Sequence, residues 1–308
     1  MSRPVAVIDI GSNSIKVLVA ARDPLGNLRA LVNKTLDARI GTGISADQPK
    51  LSEEGMTRGL GAIRELLMDI EQYRPAKVAL VATSAVRDAA NGADFCRKVK
   101  AATKHDVRVL SGKEEANAIG RGLTADRALA DLEDFYVFDL GGGSLECLSF
   151  VDRQVRQAAS LQLGCVRLME KFAPDPGAPF TTETRAAVSA HVLQEIAQGG
   201  FRFDIPAAGG VGVGGTVTTI RAILGAKSGK KAEQMPAVVT TAQVEELLGL
   251  LGPLPLDQRK RVPGLPPPRA DVFPVALATI LAVAEAAGLE EFRHSFYNLR
   301  WGVAAEMV

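Results

Sequence analysis

Two short stretches of this chain join an aspartate to a glycine turn and a hydroxyl. The first is Asp9-Ile10-Gly11-Ser12-Asn13-Ser14; the second is Asp139-Leu140-Gly141-Gly142-Gly143-Ser144. Each follows an apolar run that reads as a buried strand, and a second strand follows each turn. Glycine lets backbone approach an anion closely and lets its N–H groups face phosphate oxygens. The Ser14 and Ser144 hydroxyls add donors. The Asp9 and Asp139 carboxylates suit Mg²⁺, a hard cation that keeps waters and takes one or two carboxylates. One such hairpin alone reads equally well as a tight turn with a capping Asp. Two copies facing one another across a domain cleft favour the phosphate reading.

Three further segments carry chemistry. Gly209-Gly210-Val211-Gly212-Val213-Gly214-Gly215-Thr216 runs from a strand into a helix start, where free N–H groups and the helix dipole favour an anion. Gly214, Gly215 and Thr216 are therefore candidate phosphate contacts. No acid follows at dinucleotide spacing and no G-x-x-x-x-G-K-[ST] is present, so neither a Rossmann fingerprint nor a P-loop is expected. Ser111-Gly112-Lys113-Glu114-Glu115-Ala116 places two acids in a first helical turn. Such acids ordinarily complement the dipole; the alternative is that one serves as general base for water. Adjacent helix residues diverge by about 100°, so only one of the two can do so. Arg87 follows a strand end, where ligands bind open α/β sheets, and it either clamps phosphate or makes a surface ion pair.

Composition removes other classes. The chain has 308 residues, a length that suits about two domains. Lys+Arg 36 against Asp+Glu 35 excludes a globally basic nucleic-acid binder. Two short basic runs, Lys227 to Lys231 and Arg259 to Arg261, read as solvated loops or as a polyanion track. Aromatics at 5% argue against recognition by base stacking. Cys96, Cys147 and Cys165 lie far apart among apolar residues and read as small core residues of a reducing, cytoplasmic protein. The three histidines share no metal-ligand spacing, so a His-based zinc site or a Ser-His-Asp triad finds no support. No secretory leader is expected before Val5, and Val272 to Leu289 reads as a buried helix, not a membrane span, because it contains Pro274 and Glu285.

The elements that must hold these residues come in a β-β-β-α-β-α-β-α order. Strands are expected at Val5–Ile10, Ile15–Ala21, Leu28–Leu36, Val78–Val81 and Val107–Leu110, with helices after Ser52, over Asp88–Ala102 and from Ser111 to about Leu123. The order then restarts. Strands are expected at Phe135–Leu140, Leu145–Val151, Val155–Leu161, Val211–Val213 and Phe292–Ser295. Helices are expected at Thr182–Gln198, Thr216–Leu224, Thr241–Leu251, Arg269–Ala287 and Asn298–Glu306. Ala6–Ala20 and Tyr136–Phe150 repeat Val, Asp, Gly, Ser and Leu in the same places at an offset of 130 residues. The boundary is expected near Thr124 to Asp134, giving domains 1–126 and 127–308, with the closing helix free to pack back on the first.

Taken in order, these segments resemble the exopolyphosphatase / guanosine pentaphosphate phosphohydrolase (Ppx/GppA) family of the actin-like ATPase superfamily. The resemblance rests on Val7 to Ser14, Arg39-Ile40-Gly41-Thr42-Gly43, Thr83 to Arg87, Leu110 to Ala116, Phe138 to Glu146, Leu163 to Arg167 and Gly212 to Thr216. It implies an α/β fold of two ribonuclease-H-like domains flanking a cleft, in the short two-domain form. It further implies Glu115 as catalytic base, with Asp9, Asp139 and Glu146 around a divalent ion (Mg²⁺ or Mn²⁺). Asn13, Ser14, Arg87, Gly142, Gly143 and Ser144 are implied as phosphate contacts. A monovalent cation such as K⁺ and a homodimer are also family expectations. The sequence departs from the family at Lys16, where several members carry an aromatic or His, and in the closing stretch Ser295 to Gly302. The expected activity is hydrolysis of terminal phosphate from inorganic polyphosphate, the alternative being removal of the 5′-phosphate of guanosine pentaphosphate. An actin-like sugar or acid kinase and a non-catalytic phosphate-binding regulator remain as other classes. No nucleic-acid or membrane partner is expected.

Overall fold

The computed structural model describes residues 2–308. The chain divides into two compact units, one running as far as Ala130 and resuming at Tyr297–Val308, the other Asp131–Phe296.

The first unit contains β1 (Val5–Ile10), β2 (Ile15–Arg22), β3 (Leu28–Leu36), α1 (Glu53–Glu71), β4 (Lys77–Ala82), α2 (Ser84–Asp88), α3 (Gly92–Thr103), β5 (Val107–Val109) and α4 (Gly112–Thr124). Its sheet runs β3-β2-β1-β4-β5. β1 to β3 are antiparallel neighbours, whereas β4 lies parallel to β1 and β5 parallel to β4. This is the order expected of a ribonuclease-H-like unit. β1 is central and covered on both faces, which is why it reads as a continuous apolar run instead of alternating. α1 starts at Ser52, whose side chain accepts from Gly55 N, and turns Met56, Ile63, Leu66 and Ile70 to the core. The closing helix, Leu299–Met307, packs on α4. The two approach closely enough that a Cβ on Gly302 would lie 1.8 Å from the Ala118 carbonyl oxygen, and one on Gly122 would lie 2.4 Å from that of Asn298. Only glycine permits that approach.

The second unit contains β6 (Phe135–Leu140), β7 (Leu145–Val151), β8 (Gln154–Leu161), α5 (Cys165–Phe172), α6 (Thr182–Gln198), β9 (Gly209–Val213), α7 (Gly214–Ala226), β10 (Val238–Thr240), α8 (Thr241–Leu251), α9 (Leu256–Arg259), α10 (Phe273–Ala287) and β11 (Glu291–Ser295). Its sheet runs β10-β11-β9-β6-β7-β8. Read from β8, this is the same order with one extra antiparallel edge strand, β10. Phe135 stacks on Phe150 at 4.4 Å, and Phe138 meets Phe292 edge-on. This aromatic seam ties β6 to both its flanks.

The structure departs from the sequence expectations in several places, α9 among them. The helix expected over Asp88–Ala102 begins only at Gly92, after the separate short α2, because the chain turns extended at Ala89 (φ −75°, ψ 131°) and Ala90 N donates to Pro49 O. α5 and β10 were not expected at all. The helix expected from Arg269 begins at Phe273, after a 3₁₀ turn at Pro267–Arg269. The closing helix, left free in the sequence expectation to pack back on the first domain, groups with the first unit. Arg259 is neither solvated nor part of a polyanion track. It is buried, with its guanidinium donating to the carbonyls of Leu254, Ala270, Pro176 and Ala178. Cys147 and Cys165 are buried, and Cys96 is half-buried. Among the described residues no helix is long and apolar enough to cross a membrane.

Candidate functional site

In the first unit three loops converge at the carboxyl ends of the parallel strands. The β1–β2 turn closes with Gly11 N donating to Ser14 O at 3.2 Å. Its outer side is backed by the Arg39–Gly43 segment, where Arg39 N donates to Asn13 O and Gly41 N to Ser12 O, both at 2.9 Å. The turn is joined to the start of α2 by Ser12 Oγ and Ser84 Oγ, 3.1 Å apart. α2 carries Arg87, whose Nη1 donates to Leu110 O at 3.0 Å and to Glu115 Oε2 at 2.8 Å. Asn13, Ser14, Arg87 and Glu115 thus belong to one connected set.

The sequence left open which of Glu114 and Glu115 faces inward. Ser111 begins α4 with a capping box: its Oγ accepts from Glu114 N, and Glu114 Oε2 accepts from Ser111 N. Arg108 also donates to Glu114 at 2.7 Å. With that arginine and the cap as partners, the Glu114 carboxyl is held down at about 2. The next residue is then rotated toward the interior, and Glu115 is 6% exposed. Glu114 is the capping residue, and the cap turns Glu115 inward.

Asn13 is the other anomaly. It is 7% exposed, and both its Nδ2 and Oδ1 are buried with no hydrogen-bond partner. A buried carboxamide left unpaired costs about 1–3 kcal/mol. Such a group in a folded protein calls for a water, an ion or a catalytic role.

Asp9 sits at the end of β1 directly opposite Lys16 of β2. Burial raises its pKa, while Lys16 and Arg300 pull it down. Arg300 is itself fixed by hydrogen bonds to Val17 O and Asn33 Oδ1.

The second unit repeats the hairpin with different chemistry. Gly141 N donates to Ser144 O at 3.0 Å. The Gly141 and Gly142 carbonyls accept from Cys165 N and Val166 N at the start of α5, and Gly143 O accepts from Arg167 Nε at 3.1 Å. The turn carbonyls are thus tied to α5. Asp139 lies directly opposite Glu146, which is buried and accepts from Ser160 Oγ at 2.8 Å. Where the first hairpin pairs an acid with a lysine, the second sets two acids across from each other. Like charges directly opposite on a sheet repel, and a divalent cation relieves that repulsion. Two carboxylates suit Mg²⁺ that keeps waters and shares phosphate oxygens. Among the described residues no three His, Cys, Asp or Glu side chains gather into a complete metal cage.

The third glycine segment joins this second hairpin. Gly214, at φ +78°, lies against Asp139, and a Cβ there would come within 2.1 Å of Oδ1. Thr216 Oγ1 donates to Leu140 O at 3.0 Å. Gly214, Gly215 and Thr216 therefore adjoin Asp139 from β9 and α7. Sequence reasoning missed Arg269, whose Nη1 occupies the space beside Gly215, 2.1 Å from where a Cβ would stand. Its Nε is buried without a partner. No motif in the sequence marks it.

Comparison with known proteins fits this geometry. The model of the Ppx/GppA phosphatase family matches residues 18–308. The chain is 26% identical to the Aquifex aeolicus PPX-GPPA enzyme, with a TM-score of 0.78 covering 98% of this chain and 99% of that one. An exopolyphosphatase-like protein is 26% identical with a TM-score of 0.88, covering 99% and 97%. An exopolyphosphatase from Cytophaga hutchinsonii, 23% identical, shares the fold at a TM-score of 0.86, covering 99% and 97%. The family match begins inside β2 and runs through the second hairpin to the last residue, and with it the chain belongs to the Ppx/GppA family of phosphatases, which are hydrolases.

Proposed function

We propose that this protein is an exopolyphosphatase, releasing terminal orthophosphate from inorganic polyphosphate with a divalent cation. The observation that carries the reading is the connected set in the first unit: an inward Glu115 held by Arg87, and on the turn joined to the same helix an Asn13 carboxamide with no hydrogen-bond partner among the described residues. Glu115 is the general base, orienting a water and taking its proton as the water attacks the terminal phosphorus in line. Arg87, Asn13 and Ser14 hold phosphate oxygens. In the second unit the backbone N–H groups of Gly142, Gly143, Gly214, Gly215 and Thr216 and the Ser144 hydroxyl are the proposed donors, the Thr216 hydroxyl being spent on Leu140 O, and Arg269 adds a cation. Asp139 and Glu146 would hold Mg²⁺, which would supply positive charge toward phosphate oxygens. Asp9, buried opposite Lys16, is the third acid proposed for the ion. The leaving group is a phosphate and needs little general acid, in keeping with a site built without a histidine donor.

Removal of the 5′-phosphate of guanosine pentaphosphate is the second reading. Low aromatic content favours the inorganic chain, since base stacking would need a platform. Phosphate release from both compounds with Mg²⁺ separates them. Faster turnover of polyphosphate supports the first reading, and faster turnover of the nucleotide reverses the ranking. Release of ADP from ATP only in the presence of a sugar or acid acceptor would move the protein to the kinases.

A further inference from the structure

The second unit contains a buried polar chain that the proposed chemistry does not use. His294, on β11, is 4% exposed. Its Nδ1 lies 2.6 Å from Arg221 Nη1. A guanidinium can only donate, so Nδ1 accepts, and the ring proton is on Nε2. Nε2 lies 3.2 Å from Thr218 Oγ1, which donates in turn to Gly214 O at 2.8 Å. All the hydrogens run one way, from Arg221 through His294 and Thr218 to the Gly214 carbonyl. Reversing the ring would set two N–H groups against each other. The origin is anchored too: Arg221 Nη2 donates to Met235 O at 2.6 Å, and its guanidinium lies over the Phe296 ring. Burial and Arg221 together push the His294 pKa down to about 3, so the ring stays neutral.

The end of this chain matters because Gly214 C=O and Gly215 N–H belong to one planar peptide. A bond that holds the carbonyl fixes the direction of the N–H. Gly214 is at φ +78°, a conformation glycine leaves as readily as it enters. Gly214 also opens α7, so its carbonyl takes the helix's own backbone bond, and the Thr218 hydroxyl adds a second donor to it.

We propose that His294 is a positioning residue, which through Thr218 locks the Gly214–Gly215 peptide and aims the Gly215 N–H at a phosphate oxygen. The phosphate rests on the proposed function; the relay does not. Three variants test it: His294→Leu, His294→Gln and Thr218→Val. The glutamine amide can accept from Arg221 and donate to Thr218, whereas leucine can do neither. With tripolyphosphate as substrate, H294L and T218V each raise KM about tenfold, the effect of losing one well-aimed hydrogen bond to an anion, with kcat within about twofold. H294Q recovers most of the loss, and H294L/T218V is no worse than either single change because both cut one relay. Additive losses, or an H294L enzyme with unchanged KM, overturn the proposal. A readout free of turnover accompanies it. Ring ¹⁵N shifts of His294 at pH 7 should report the neutral Nε2–H tautomer, and the Gly215 amide resonance should move in H294L and T218V and return in H294Q. A protonated ring, an Nδ1–H tautomer or an unmoved Gly215 amide refutes the relay whether or not the wild type hydrolyses phosphate. A wild type that shows the relay but releases no phosphate refutes the functional reading alone.

Discussion

Arg87 Nη1 donates to Glu115 Oε2 at 2.8 Å, across 28 residues of sequence. The arginine comes from a short helix after β4 and the glutamate from the first turn of α4, so two strand-to-helix junctions of one sheet meet at this bond. The same guanidinium is the cation a phosphate would seek. Under the proposed function, a phosphate that drew Arg87 away would loosen its hold on Glu115.

Arg87 should matter to folding as well as to binding. Glu115 is nearly buried, so removing the guanidinium leaves a carboxylate short of a partner. Arg87→Met is expected to lose about 1–3 kcal/mol in urea unfolding and to raise KM for polyphosphate. Arg87→Lys keeps the charge but cannot reach Leu110 O and Glu115 together, and should fall between the two. Wild-type stability in Arg87→Met would remove the structural half of this account.

Gly214 tests the second unit. Any side chain there meets the Asp139 carboxylate and a backbone at φ +78°. Gly214→Ala is expected to lose about 1–3 kcal/mol and most of its turnover. Gly249, with open space around it, provides the control: Gly249→Ala should leave turnover unchanged.

Lys16 and Glu146 stand at matching places in the two hairpins and carry opposite charge. Lys16→Glu makes the first hairpin resemble the second, with two acids opposed. Thermal unfolding without divalent ions should show a loss of about 0.2–1 kcal/mol, and added Mg²⁺ should recover more stability in this variant than in the wild type. Equal recovery in both would mean that opposed acids do not draw the ion.

His294 gives a pH dependence with a definite sign. Its folded pKa is lowered from 6.5 to about 3, so the unfolded chain binds a proton that the folded chain refuses. Stability from this group is intact above pH 6.5 and falls as pH drops from 6.5 toward 3. Between pH 7 and pH 5 the loss is about 2 kcal/mol at 1.36 kcal/mol per pKa unit. Urea unfolding at both pH values, wild type against H294Q, measures it. A loss of the same size in H294Q would assign it elsewhere.

Much of this was legible in the sequence. The two hairpins declare themselves by repetition, and each repeats into three antiparallel strands because β1 and β6 are apolar runs ending in Asp. Ser111 and Glu114 spell a local capping box, and that cap sets Glu115 inward. What stayed hidden depends on contacts distant in sequence. α5 is begun by carbonyls of Gly141 and Gly142, not by a hydroxyl of its own. The break at Ala89 answers to Pro49, and the return of the closing helix to α4 answers to Gly122 and Gly302. Arg269 carries no motif; only its place beside Gly215 marks it.

The central claim is that Glu115 takes the proton of the attacking water. It is tested by phosphate release from polyphosphate with Mg²⁺ in Glu115→Gln, alongside tripolyphosphate binding by calorimetry. The account predicts turnover lower by roughly 10²–10⁴-fold with binding retained. Turnover at the wild-type rate with binding retained would contradict it.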